Sequence, residues 1–317
     1  MIDLNQWEGV HTAAEAKKIK KKFNRVVTFA VNSRGPAYSS GTGPEGAKYF
    51  EAGKCMVSHI NQFSKDSFDK ILIFDLGLDY SHRAELAAME NVLVFDFPKE
   101  TNSFYPDYFR PKHYAWKYAV TWYASLMAET VLYIDAGKYP TCNLNRAFEV
   151  IEQDNFFLAT PAKSYVSGES FRKEWLDIPL GIGNSVFYMT SLYHEIFNIT
   201  HEESNYPMCF AAIIGFTTNG EYYESIIEKA FKWTQDPRIC SLGFDPNKNH
   251  LQEQSLITLL AKRAGYNQLH MEVIKSNFGP GYPDQKRFIT RFGEDILIFW
   301  RAHGAEVDHL LRQFDNE

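Results

Sequence analysis

Residues 113–137 read HYAWKYAVTWYASLMAETVLYIDAG. Tyr114, Val120, Tyr123 and Met127 recur at helical spacing and predict a helix over His113 to Ala128, while the apolar run Thr130 to Ile134 predicts a buried strand. The strand ends in Asp135-Ala136-Gly137. A carboxylate directly after an apolar strand stands where α/β sheets bind their ligands, and the small residues that follow let a bulky ligand approach the backbone.

The same alternation runs outward in both directions. Upstream, Val26 to Val31 (VVTFAV), Lys70 to Phe74 (KILIF) and Asn91 to Phe95 (NVLVF) read as strands, separated by helical stretches over Ala47 to Phe63 and Ser81 to Met89. A loop with Gly35, Gly41, Gly43 and Gly46 follows the first strand, the turn Asp75-Leu76-Gly77-Leu78 follows the second, and an aromatic, proline-containing loop from Asp96 to Pro111 follows the third. Downstream, Asn145 to Gln153, Glu221 to Trp233 and Leu251 to Ala264 read as helices, and Phe156 to Thr160, Ser185 to Met189 and Ile296 to Trp300 as strands. Strands alternating with helices predict an α/β fold, a mainly parallel sheet flanked by helices. With no internal repeat or linker, residues 25–317 are expected to form one domain behind an N-terminal helical extension, residues 1–24. The KKIKKK run of that extension, Lys17 to Lys22, reads as a solvated helix face.

At 317 residues, 45% hydrophobic and 23% charged, the chain has the composition of a globular protein with a substantial core. A net charge of -6 gives no general attraction to phosphate backbones, so nucleic acid is not expected as a partner. Cys55, Cys142, Cys209 and Cys240 stand too far apart for a zinc knuckle or a small disulfide framework, which fits a reducing compartment. No apolar run reaches the roughly 20 residues needed to span a bilayer, and MIDLNQWEGVH lacks the parts of a signal peptide, so a cytoplasmic protein without an integral membrane segment is expected.

Asp75, Asp96 and Asp135 each follow an apolar run. Such an aspartate either accepts from ribose hydroxyls and ligates a divalent cation, or caps the next turn or helix. On the helix before Asp135, Lys117 can neutralise a diphosphate and Trp116 can wall a pocket; the alternatives are a snorkelling lysine and a core tryptophan. Phe104, Tyr105, Tyr108, Trp175 and Tyr282 fall in loops where rings can stack on sugars, although most aromatics are core residues.

Tyr114-Ala115-Trp116-Lys117 followed by Tyr133-Ile134-Asp135-Ala136-Gly137 resembles the GT-A glycosyltransferases, in particular a set with YAWK and DAG motifs, and Asp75-Leu76-Gly77-Leu78 is similar to that set's DLGL turn. More distantly, the motif order is similar to glycogenin and galactosyltransferase-like enzymes, with Gly183-Asn184-Ser185 and Glu253-Gln254-Ser255 in the places of an asparagine-glycine strand and a DQD segment. The resemblance implies a GT-A-like fold, with a nucleotide-binding first half and an acceptor-side second half. It also implies transfer of a sugar from a nucleotide-sugar donor, a UDP-sugar, to a carbohydrate or other hydroxyl acceptor. Under it Val31, Asn32 and Ser33 meet the nucleotide, Asp75 the base or ribose, and Lys117 the phosphates, while Asp135 takes the ribose or a metal. Asn184, Glu253 and Gln254 take the sugar and the reaction centre, with Glu253 as candidate base if configuration inverts and Glu253 or Gln254 positioning the sugar if it is retained. By itself Glu253 also reads as a helix-start carboxylate that favours the dipole.

One position departs from the pattern. Gly137 stands where a DxD motif has its second, metal-binding aspartate. Either His303 joins Asp135 in holding Mn or Mg, or no metal takes part and Lys117, Arg301 and His113 stabilise the departing diphosphate. Two rival readings share these features: a nucleotidyltransferase that makes the activated sugar, although VNSRGPAYSSGTG lacks its GxGTRL-like order, and a non-catalytic binding module that kept the fold.

Overall fold

The computed structural model describes residues 23–33, 49–97, 104–105, 108–109, 114–136, 138–140, 142–161, 195–204, 209–240, 252–266, 269–274, 285–289 and 295–301. Every strand in them belongs to one sheet, in the order β3-β2-β1-β4-β7-β6-β8-β9-β10-β5. The first four are β1 (Phe23–Val31), β2 (Lys70–Asp75), β3 (Val92–Asp96) and β4 (Ala128–Ile134), all parallel. Parallel pairing needs a crossover between strands, and the helices α1 (Tyr49–Ser64), α2 (Tyr80–Ala87) and α3 (Trp116–Met127) supply it. Each helix matches a stretch expected from the apolar spacing.

The order of these strands marks one point along the sheet. From β1 the chain steps to β2 and β3 on one side, then returns to lay β4 on the other. Direction reverses between β1 and β4, and in open α/β sheets a crevice opens beyond the carboxyl ends of the strands at such a point. The parallel register Val31↔Asp75 and Asp75↔Asp96 levels the ends of β1, β2 and β3.

Beyond β4 the sheet is mixed. β7 (Phe210–Thr217) lies antiparallel to both β4 and β6 (Phe156–Pro161), and β6 pairs in parallel with β8 (Leu269–Ile274). β9 (Gln285–Ile289) and β10 (Asp295–Arg301) continue antiparallel. The short β5 (Lys138–Pro140) closes on β10, with Lys138 opposite Arg301. Four of these strands, β5, β7, β8 and β9, extend the expected set. The strand read over Ser185 to Met189 and the KKIKKK run lie outside the described residues.

Helices cover both faces. On one, α1 and α4 (Asn145–Asp154) bring Cys55, Met56, Ile60, Phe148 and Ile151 against Val27, Phe29, Ile71 and Leu132. On the other, α3, α5 (Lys229–Trp233) and α6 (Gln252–Arg263) bring Tyr118, Tyr123, Phe231 and Leu256 against Leu72, Phe74, Val131 and Ile214. The stretch Glu221 to Trp233, read as one helix, contains a π-helical turn at Tyr223–Glu228 before α5, and the Tyr223 hydroxyl there is 2.7 Å from Ser125 Oγ. α3 is buried nearly all round, and so carries no polar stripe.

Candidate functional site

α3 begins without a side-chain cap, from Tyr114 held at φ 55°, in the left-handed region that tyrosine rarely adopts. Such strain is kept where the surroundings over-determine it. Here the turn brings the Tyr114 ring within 5.1 Å of Lys117 Nζ, and the Lys117 N–H donates to the Tyr114 carbonyl at 3.0 Å. Lys117 is therefore fixed at the first turn of α3, directly above the end of β4.

Its ammonium joins two carboxylates that are far apart in sequence. Lys117 Nζ lies 3.0 Å from Asp135 Oδ1, 3.2 Å from Asp135 Oδ2 and 3.0 Å from Glu253 Oε1. Lys117 is 3% exposed and Glu253 7%, while the Asp135 side chain is 29% exposed and forms the open edge of the group. Tyr133, two residues earlier on the same face of β4, donates its hydroxyl to Asp135 Oδ1 at 2.7 Å. Tyr118 donates to the Glu253 carbonyl at 2.6 Å and so anchors the first turn of α6 against α3.

Burial opposes charge on Lys117, but Asp135 and Glu253 outweigh it and hold the ammonium above the ordinary lysine value. Burial pushes the Glu253 carboxyl up, and the nearby ammonium only partly reverses this. Burial together with Asp135 keeps the Tyr133 phenol well above its usual value, so it remains a hydrogen-bond donor. A buried charge that loses its partner typically costs about 3–5 kcal/mol, so the three charges hold one another in place.

Across the reversal point, the end of β1 carries Asn32. The register Thr28↔Tyr133, continued with the two-residue alternation, places Asn32 on the face of the sheet that carries Asp135. Asn32 is 6% exposed, and its Oδ1 has no hydrogen-bond partner among the described residues. A buried acceptor left unpaired costs free energy, and a ligand that donates to it would remove that cost. Val31 is a core residue whose carbonyl accepts from the Leu76 N–H at 2.8 Å.

Ser33 and Asp75 are both engaged by the segment that follows β2. Ser33 Oγ accepts from the Asp79 N–H at 2.6 Å and lies 2.7 Å from His82 Nδ1, and the His82 ring stacks on Phe50. Asp75 Oδ1 accepts from the N–H groups of Gly77 and Leu78 at 2.7 and 2.6 Å, which shapes the DLGL turn. Its Oδ2 accepts from Arg83 at 2.9 Å, and Arg83 also reaches Asp96. Asp75 and Asp96 thus share one guanidinium, a partner that spacing alone does not predict.

The remaining candidates divide into two sets. Gln254 follows Glu253 on α6 and is partly exposed, its carbonyl accepting from the Thr258 hydroxyl at 2.6 Å. Arg301 is placed by the backbone register with Lys138 on β5, just beyond Asp135. His113, Gly137, Asn184 and His303 lie outside the described residues, as do Trp175 and Tyr282. Three of the loop aromatics turn inward. Tyr108 is fully buried against Phe104, Tyr105 and Phe109, and Phe104 and Tyr105 pack on the same core, so these rings hold the loop down where stacking on sugars was expected. Trp116 is likewise a core residue.

The DxD resemblance implies a divalent cation on Asp135, and the described side chains do not fit one. Both oxygens of Asp135 already lie against the Lys117 ammonium, and the Tyr133 hydroxyl adds a second donor to Oδ1, so only part of the acceptor capacity of Oδ2 stays open. Among the described residues no group of three or more His, Cys, Asp or Glu side chains stands close enough to hold a metal ion.

No protein-family model and no curated protein sequence matches the chain. Among the solved structures with partial similarity in chain path, at TM-scores of 0.42 and below, are several glycosyltransferases. The galactosyltransferase LgtC, in complex with donor and acceptor sugar analogs, is 12% identical at TM-score 0.42, over 74% of this chain and 70% of that one. Mouse xyloside xylosyltransferase 1 is 9% identical at TM-score 0.40, over 78% and 84%. The glycosyltransferase GlyE of Streptococcus pneumoniae TIGR4 is 14% identical at TM-score 0.39, over 79% of this chain and 45% of that one.

Proposed function

We propose that this chain is a glycosyltransferase that moves a sugar from a nucleotide-sugar donor, a UDP-sugar, to a hydroxyl acceptor. The observation that carries the reading is the Lys117 ammonium held between Asp135 and Glu253 at the carboxyl end of β4, beside the strand-order reversal. Chemically this is a preformed cation next to a partly open carboxylate and a buried carboxylate, with an amide oxygen, unpaired among the described residues, just past the end of the neighbouring strand β1. Asp135 and Asn32 suit the hydroxyls and N–H groups of a nucleoside, and Lys117 suits its diphosphate. The order of YAWK, DAG and EQS motifs supports the same assignment.

In the reaction the acceptor oxygen bonds to the anomeric carbon and the bond from that carbon to the diphosphate oxygen breaks, its electron pair leaving with the nucleoside diphosphate. Glu253 takes the acceptor's proton, and Lys117 stabilises the charge that grows on the leaving oxygen. Release of UDP from UDP-hexoses by the purified full chain tests this. The wild type should release UDP from at least one of them, and Asp135→Asn should slow release by about 100-fold, a typical effect for one electrostatic group. Equal rates in the two proteins would contradict the assignment. Formation of a UDP-sugar from UTP and a sugar phosphate would favour a nucleotidyltransferase instead.

A further inference from the structure

We infer that Lys117 itself is the cation of the donor site, so that nucleoside diphosphate binds here without a divalent metal. The inference rests on the nucleotide-sugar reading and adds what neutralises the diphosphate.

The argument starts from who already occupies Asp135. A divalent ion needs open carboxylate oxygens, and at this strand end the ammonium of Lys117 lies within 3.0 and 3.2 Å of both oxygens of the only carboxylate the motif supplies. Gly137, at the second motif position, brings no side chain. The other nearby carboxylate, Glu253, is committed to the same ammonium at 3.0 Å. Lys117 cannot swing into water to make room, because it is 3% exposed and its stem is packed in the first turn of α3. A divalent ion seated on Asp135 would therefore have to displace the ammonium from that carboxylate, leaving a buried positive charge short of a partner.

The same geometry serves an incoming diphosphate. Asp135 is the exposed member of the group, so an arriving ligand meets the group at that edge, with the ammonium directly behind it. The backbone register sets Lys138 opposite Arg301 where β5 meets β10, just past the end of β4. A lysine fixed by two carboxylates also needs no reordering when the ligand arrives, unlike a lysine on a mobile surface.

Isothermal titration of UDP into the full chain, once in EDTA and once in millimolar Mn, tests the inference without any variant. Affinity in EDTA should lie within a few-fold of that in Mn, well inside the factor of ten that marks a lost ionic contact. Binding that needs Mn, weaker by more than about tenfold in EDTA, overturns the inference while leaving the nucleotide reading in place. No UDP binding under either condition overturns both. Lys117→Met supplies a second, opposite readout: with the ammonium gone, Asp135 and Glu253 are left as a bare pair of carboxylates. In EDTA this variant should bind UDP at least about tenfold more weakly than wild type, and Mn should restore part of the loss. A variant that binds as tightly as wild type in EDTA would contradict the role given to Lys117.

Discussion

Glu253 shows how one position carries both a structural and a chemical demand. It opens α6, where a carboxylate suits the positive end of a helix, yet it is turned inward to Lys117 and 7% exposed. Burial raises its pKa, and the sign of the consequence follows. A carboxyl raised in the folded state contributes stability that is fully present below the ordinary glutamate value and is lost as pH rises through the raised one. As a general base Glu253 must be ionised, so the transfer rate should climb with pH, with a midpoint above the ordinary glutamate range. Glu253→Gln should lower kcat by about 100-fold or more with little change in KM, and should remove that limb of the pH profile. A profile that starts to rise at or below the ordinary glutamate value, or a Gln variant with unchanged kcat, would remove Glu253 from the chemistry. Lys117, Asp135 and Glu253 were legible in the sequence because two close a strand or open a helix and the third lies on the helix leading in. Tyr133 could have been found the same way, since two residues along a strand is one face. The Asp75–Arg83–Asp96 bridge and the inward turn of Tyr108 were not legible, because both depend on contacts between segments that periodicity does not relate.

At the scale of elements, the parallel strands β1 to β4 were readable, as were β6 and β10, whereas β5, β7, β8 and β9 were not. VVTFAV, KILIF and NVLVF are short, β-rich and bounded by turns, whereas β7 is FAAIIGFT, where two alanines and a glycine blur strand against buried helix. Gly215 is what lets β7 sit there. A Cβ at that position would lie 2.4 Å from Ile151 Cδ1, 2.6 Å from Ile151 Cγ1 and 3.0 Å from Phe157 Cβ, so α4 packs onto the strand through the missing side chain. Gly215→Ala should therefore destabilise the protein by about 1–3 kcal/mol through overpacking, seen as a lower denaturant midpoint at unchanged slope. A variant as stable as wild type would mean that α4 shifts freely over β7. The three-residue β5 escaped for a different reason: its partner β10 is distant in sequence, so the pairing has no local signal.

At the scale of the molecule, the strand order converts scattered motifs into one place. β1 and β4 are separated by about a hundred residues in the chain, yet they are neighbours in the sheet, and the reversal between them brings Asn32 and Asp135 to the same face. α6, from the second half, then delivers Glu253 to Lys117. No helix among the described residues is long and apolar enough to cross a membrane. The claim on which the account turns is that a nucleotide seats on Asp135, and thermal unfolding with and without UDP addresses it most directly. A ligand at about 100 times its Kd adds about 2.7 kcal/mol, which should raise the wild-type melting temperature by about 5 °C. Asp135→Ala, shown to be folded by its own cooperative transition, should show no rise. The same rise in both proteins would contradict the account.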